Sequence, residues 1–258
     1  AACACRRPGA ERRFEGLDVR GATVARKRQV RLGSVDAGIE FSGTVGTLTA
    51  AQVNYLRGDD SLEIKNSTGP SDTLHVFRNR STRLGDIVNS DPHFVHNENF
   101  GYNTLPSTAG TDYSAFLAGK SARTAMVYVG ANDGMLHGFD ASFVCQDNDT
   151  AVDSDGDTDP ANDCDIKVPA PTAGDELLAY VPKAVWPNLP LLTSPTYSHK
   201  YFVDGSPTSW DAYWGATPTW KTVLVGGLGA GGKGLYALDV TNPNSFGDGS
   251  VLWDFQGN

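Results

Sequence analysis

Between positions 147 and 165 the chain places eight aspartates (Asp147, Asp149, Asp153, Asp155, Asp157, Asp159, Asp163 and Asp165) and no lysine or arginine. Carboxylates at alternate positions repel one another in any ordered loop, and a hard divalent cation with oxygen ligands removes that cost. Calcium takes about six to eight oxygens and tolerates irregular loops, whereas magnesium keeps its waters. The pattern therefore predicts a Ca²⁺ site whose candidate ligands are Asp149, Asp153, Asp155, Asp157, Asp159 and Asp163. The register is not that of an EF-hand: with Gly156 at the sixth loop position, the first is Ala151 and the twelfth Asn162. The competing reading is a solvated acidic loop that holds no metal.

Cys145 and Cys164 bracket this stretch, while Cys3 and Cys5 lie at the other end of the chain. Four cysteines allow three pairings. Cys145 with Cys164 is favoured, because the two ends of an insertion should lie close together, and closing a loop of that size contributes about 3 kcal/mol in the entropy model. A disulfide beside a weak calcium site points to an oxidising, calcium-rich compartment outside the cytoplasm.

The whole chain has 258 residues and a net charge of −9, of which the aspartate stretch supplies −8, so the remainder is close to neutral. Residues 1–33 carry nine Lys/Arg against Glu11, Glu15 and Asp18, but no aromatic beyond Phe14 is interleaved with them, and no nucleic-acid partner is expected. No apolar run approaches the ~20 residues of a membrane span. The start, Ala1-Ala2-Cys3-Ala4-Cys5, has no signal-peptide pattern, and the reading expects a processed or truncated chain.

The elements that would position such a loop are mostly strands. Residues 1–46 read as a basic lead-in with one or two weak strands, such as that around Val30-Arg31-Leu32, and residues 47–258 as the main domain, with the insertion at 145–165. Thr47 to Arg57 predicts a short helix ended by Gly58, with Thr49 and Gln52 forming a capping-box pattern, and no other helix is expected. From Leu84 onward the signals are strand and turn: Ala125–Gly130 and Met135–Asp140 around Asn132-Asp133-Gly134, then Glu176–Val181 stopped by Pro182, Tyr201–Asp204, Thr222–Gly227, Gly234–Val240, and Ser250–Trp253. Two of these stretches repeat each other, Gly134 to Asp140 and Gly234 to Asp239, each followed by a further strand. The 99-residue offset between Asp140 and Asp239 exceeds the ~40–45 residues of one propeller blade, so the first copy must carry insertions. The fold class expected is an all-β, partial, quinoprotein-like β-propeller with one short helix near its N-terminal side and an inserted calcium-binding loop. A β-sandwich with two similar hairpins is the alternative.

Enzymatic constellations are not favoured. The histidines (His75, His93, His96, His137 and His199) lack zinc-ligand spacing. The glycine run from Gly226 to Gly234 lacks a Ser/Thr after Lys233 and leads into a strand, so it reads as a flexible hairpin turn rather than a phosphate loop. Neither a Gly-x-Ser-x-Gly elbow nor a credible cysteine nucleophile is present.

The run Asp153-x-Asp155-Gly156-Asp157-x-Asp159 followed by Asp163-Cys164 resembles the calcium repeats of thrombospondin type 3 segments over about a dozen residues. More extensively, Leu84-Gly85-Asp86-Ile87-Val88-Asn89-Ser90, the stretch from Val127 to His137, Tyr201-Phe202-Val203-Asp204-Gly205-Ser206-Pro207 and the stretch from Val223 to Gly234 resemble, in this order, the C-terminal β-propeller of the PilY/PilC family of type IV pilus biogenesis factors and tip adhesins. Tyr55-Leu56-Arg57-Gly58 and Phe77-Arg78-Asn79-Arg80 resemble the lead-in to that domain. The resemblance implies a secreted, non-enzymatic protein of the pilus tip or outer cell surface. Its calcium occupancy would influence pilus extension and retraction, and its partners would be minor pilins and host or abiotic surface receptors. The family's Asp-x-Asp-x-Asp-Gly pattern is departed from here, with Ala151 where a first aspartate would fall. A second resemblance, of Gly134-x-Leu136-x-x-Phe139-Asp140 and Gly234-Leu235-Tyr236-Ala237-Leu238-Asp239 to the blade repeat of quinoprotein dehydrogenases, keeps an enzyme as the alternative, although no Cys-Cys dipeptide occurs.

Overall fold

The computed structural model describes residues 30–32, 48–106, 108–146 and 166–257. In chain order the strands are β1 (Val30–Leu32), β2 (His93–Val95), β3 (Met126–Gly130), β4 (Leu136–Asp140), β5 (Phe143–Gln146), β6 (Ile166–Pro169), β7 (Glu176–Val181), β8 (Thr208–Trp214), β9 (Thr219–Gly227), β10 (Gly234–Asp239) and β11 (Val251–Gln256). The helices are α1 (Ala50–Leu56) and α2 (Thr108–Lys120).

Two sheets carry the architecture. The first has the order β1-β7-β4-β3-β2, antiparallel except where β1 joins β7 in parallel. The second is an antiparallel meander, β11-β10-β9-β8. Setting β1 aside, each is a four-stranded blade, and the sequence repeat falls on equivalent strands: β3, β4 and β7 in one, β9, β10 and β11 in the other. This is the partial β-propeller that the pattern predicts. Between the third and fourth strands of the first blade a hairpin branches off, with β5 pairing β6 in a two-stranded sheet of its own. That hairpin and the connection that includes the 3-10 helix Lys183–Thr193 account for the long offset.

Burial follows strand position. In β9 the core-facing residues Trp220, Thr222, Leu224 and Gly226 alternate with half-buried ones, the period of two that a sheet with one covered face imposes. Every residue of β3 and β4 is buried, so both faces of the first blade's centre are covered. The blades meet through Tyr180 and Tyr236, whose ring centroids lie 5.4 Å apart, and Tyr180 donates its hydroxyl to Asp254 at 2.5 Å.

Helix α1 forms as its residues dictate. Gln52 N donates to Thr49 Oγ1 at 3.2 Å and Thr49 N to Gln52 Oε1 at 2.9 Å, which satisfies two of the donors that a helix start leaves open. Gly58, at φ +100°, takes the chain away from the helix. Thr49→Ala is expected to lower stability by about 1 kcal/mol in chemical denaturation, since the exposed cap is lost without disturbing the core.

Two expectations are corrected. A second helix, α2, stands between β2 and β3. Its apolar positions Ala109, Tyr113, Phe116 and Leu117 have helical spacing, but Gly110, Gly119 and a buried Lys120 dilute the stripe. Tertiary bonds hold it: Trp220 Nε1 donates to Ala109 O at 2.8 Å and the Tyr213 hydroxyl to Asp112 at 3.0 Å. Residues 201–204 are not a strand. Their backbone N–H groups go one by one to a side chain and two loops: Phe202 to Asn132 Oδ1, Val203 to Ala131 O and Asp204 to Leu228 O.

Candidate functional site

The expected calcium ligands Asp149, Asp153, Asp155, Asp157, Asp159 and Asp163, and Cys164 with them, lie outside the described residues. What is described is the stem that presents them. Phe143 pairs Pro169, Val144 pairs Val168, Cys145 pairs Lys167 and Gln146 pairs Ile166, so the two ends of the aspartate stretch are held one strand spacing apart. As an insertion between strands it leaves the blade intact: β4 and β7 still pair from Leu136↔Tyr180 to Phe139↔Glu176, with an irregularity between Gly138 and Phe139. The six expected ligands are all carboxylates, the donor type that a hard cation takes. Among the described residues no group of three or more His, Cys, Asp or Glu is arranged to hold a metal, and no helix is long and apolar enough to cross a membrane.

The motifs at 84–90, 127–137, 201–207 and 223–234 converge on one seam. Residues 84–91 run as a strap across both blades. On the first, Gly85 N donates to Asp133 Oδ2 at 2.9 Å, Asn132 N to Asp86 O at 3.0 Å, and Gly130 N to Ser90 Oγ at 2.8 Å. Towards the second, Asn89 donates to Asp204 at 2.7 Å through Nδ2, Ser90 Oγ to Gly205 O at 3.2 Å, and Asp91 N to Ser206 Oγ at 2.8 Å. The Asp86 carboxyl also takes Asn132 Nδ2 at 2.9 Å and pairs with His199 Nε2 at 2.8 Å; burial works against its charge, but these two partners hold it below the usual carboxylate range.

Glycine is required in this seam by close approach. A Cβ on Gly85 would stand 2.4 Å from Asp133 N, and one on Gly205 2.4 Å from Gly227 O. The run from Gly226 to Gly234 does make the β9–β10 turn, yet it is packed against residues 202–205 instead of being the flexible turn expected.

Two buried charge clusters flank the seam, and sequence reasoning missed both. The fully buried His137 lies between two carboxylates, Nδ1 at 2.5 Å from Glu176 and Nε2 at 3.0 Å from Asp133. The stretch from Asp133 to His137 is inside a quoted motif, but Glu176 is 39 positions beyond His137, a separation that no local pattern reveals. In the second cluster Asp211 accepts from Lys120 Nζ, Tyr113 Oη and Thr222 Oγ1, each at 2.8 Å, beneath helix α2. Burial pushes the Tyr113 hydroxyl up to about 12 and works against the charge on Lys120. Both clusters consist of partnered groups that fasten elements together.

A cleft of about 270 Å³ opens beside the seam, with Tyr55, Arg78, Arg80, Arg83, Asp86 and Asp133 among its lining residues. Residues 84–256 match the family described as the PilY1 beta-propeller domain, a match that begins at the strap. The chain is 40% identical over 211 residues to a type IV pilus biogenesis factor PilY1 homolog of Xylella fastidiosa and 38% identical over 207 residues to the type IV pilus biogenesis factor PilY1 of Pseudomonas aeruginosa. These alignments take in 81% and 79% of this chain but 14% of each relative, so the chain spans about a seventh of the length of these curated relatives. A crystal structure of the Pseudomonas aeruginosa PilY1 C-terminal domain is 34% identical, with a TM-score of 0.38 over 63% of this chain and 25% of that one.

Proposed function

The chain belongs to the PilY1 β-propeller domain family, and from that premise we propose that it is part of a type IV pilus biogenesis factor whose blade insertion binds Ca²⁺. The observation that carries the calcium reading is the β5–β6 stem: it pairs Gln146 with Ile166 and so closes a stretch holding eight aspartates and no cation of its own. Asp149, Asp153, Asp155, Asp157, Asp159 and Asp163 would supply the oxygens, and a bound divalent ion would offset their mutual repulsion. A Cys145–Cys164 disulfide would close the same stretch covalently. The setting is extracellular, at a pilus tip or the outer cell surface, with minor pilins and surface receptors as partners and no catalytic role.

Metal binding at this insertion gives the protein a ligand-dependent element outside the blade's own hydrogen-bond ladder, which is how calcium would influence extension, retraction and attachment without rebuilding the propeller. Isothermal titration with Ca²⁺ should show saturable heat for the wild type, weakened about tenfold or more in Asp155→Ala. An absence of heat in both overturns the calcium reading. Piliation of a deletion strain complemented with wild type or Asp155→Ala, compared with and without chelator, tests the pilus role separately.

A further inference from the structure

The arginines that line the cleft beside the seam are not equivalent. Arg80 is fully engaged: its guanidinium donates to Glu63 Oε1 at 2.7 Å, Tyr55 O at 2.6 Å and Asp59 O at 2.7 Å, and it lies 3.5 Å over the Tyr55 ring. Arg78 is held differently. Its backbone N donates to Thr193 O at 3.0 Å, and its guanidinium carbon sits 4.2 Å from the centroid of Tyr197, while its Nε is buried without a hydrogen-bond partner. No carboxylate of the described residues forms an ion pair with it. The acids that line the cleft are already occupied, Asp133 by Gly85 N and His137, Asp86 by Asn132 and His199.

We propose that this cleft is a binding site for a carboxylate group of a polypeptide, received by the guanidinium of Arg78. Stacking on Tyr197 fixes the plane of the guanidinium and leaves its terminal N–H edge to meet an oxyanion in the paired geometry that arginine provides and lysine does not. A cation without a carboxylate partner in a cleft that also holds Asp86 and Asp133 suits a monoanion better than a doubly charged phosphate, which those two carboxylates would repel more strongly. At about 270 Å³ the cleft lies just below the ~300–1,000 Å³ of small-molecule sites, room for one side chain or chain end. The inference does not depend on calcium or on the insertion.

The test titrates the protein, followed by NMR, with probes that separate the two sources of a carboxylate: N-acetylglutamic acid α-amide for a side chain and N-acetylalanine for a chain end. N-acetylalanine amide is the neutral control and inorganic phosphate the competing anion. The expected result is saturable binding of one or both carboxylate probes with shifts at the cleft, no binding of the neutral amide, and a loss of about tenfold or more in both Arg78→Gln and Arg78→Lys. Tyr197→Leu, which keeps the arginine but removes its platform, should weaken binding as well and serves if the Arg78 variants do not fold. Binding of phosphate alone, binding unaffected by these replacements, or no saturation at about 10 mM of either carboxylate probe overturns the proposal.

Discussion

Asp211→Ala is expected to lower the stability of the protein by about 3–5 kcal/mol, the cost of leaving a buried cation without its counter-ion. Asp211 and Lys120 side chains are 0% and 2% exposed, and the ammonium lies 2.8 Å from Oδ2. The other acceptor of Lys120 is a neutral backbone oxygen, that of Glu98. Arg123 adds to the effect: burial already works against its charge, and it donates to Thr222 Oγ1, whose own hydroxyl is donated to Asp211. Losing the carboxylate therefore strands the Lys120 ammonium, leaves Arg123 to Glu98 Oε2 at 3.8 Å, and takes away the acceptor of the Tyr113 hydroxyl. Lys120→Met should cost less, because Asp211 keeps Tyr113 and Thr222 as donors and Arg123 nearby. The double replacement should cost clearly less than the two singles together, since most of the Asp211→Ala penalty is the stranded ammonium. Urea denaturation of the four proteins measures this; additive losses would show that the pair is not coupled.

The second large effect is steric. Gly231→Ala is expected to destabilise by about 3 kcal/mol or more, at or beyond the top of the overpacking range. A Cβ there would lie 1.7 Å from the carbonyl oxygen of Phe202 and 2.4 Å from its carbon. Phe202 cannot retreat easily, being buried and tied through its N–H to Asn132 Oδ1 at 3.0 Å. Gly119→Ala is the control. It is an exposed helical glycine with nothing within 4 Å of the added carbon, and its replacement should raise stability by up to about 1 kcal/mol. Calorimetric melting temperatures should move in opposite directions for the two replacements.

The contrast between these glycines shows where sequence reading succeeds. The strands β3, β4, β7 and β9 to β11 are legible because short hydrophobic runs bounded by glycine and proline turns are local properties, and Thr49 with Gln52 is legible because a capping box spans only four residues. Helix α2 is not: its tyrosine and lysine look out of place until Asp211, more than 90 positions away, is seen to receive both. Tyr201-Phe202-Val203 has strand composition, yet its amides are satisfied by a side chain and two loops, so composition misleads there. The glycine run after β9 looks like freedom and is instead a demand for contact distance. At the proposed calcium site the aspartates and the branching of the insertion from a blade are readable from the sequence, and the structure adds the register of the β5–β6 stem.

That stem makes the blade tolerant of change. Because Gln146 and Ile166 are held side by side, lengthening the 19-residue connection between them adds a chain-closure cost of only about 0.6 kcal/mol for each doubling of length. The position is therefore a port: an epitope, a reporter peptide or a different metal-binding sequence could be exchanged into it while β4 and β7 keep their pairing. Lineages could diversify the same spot without renegotiating the core.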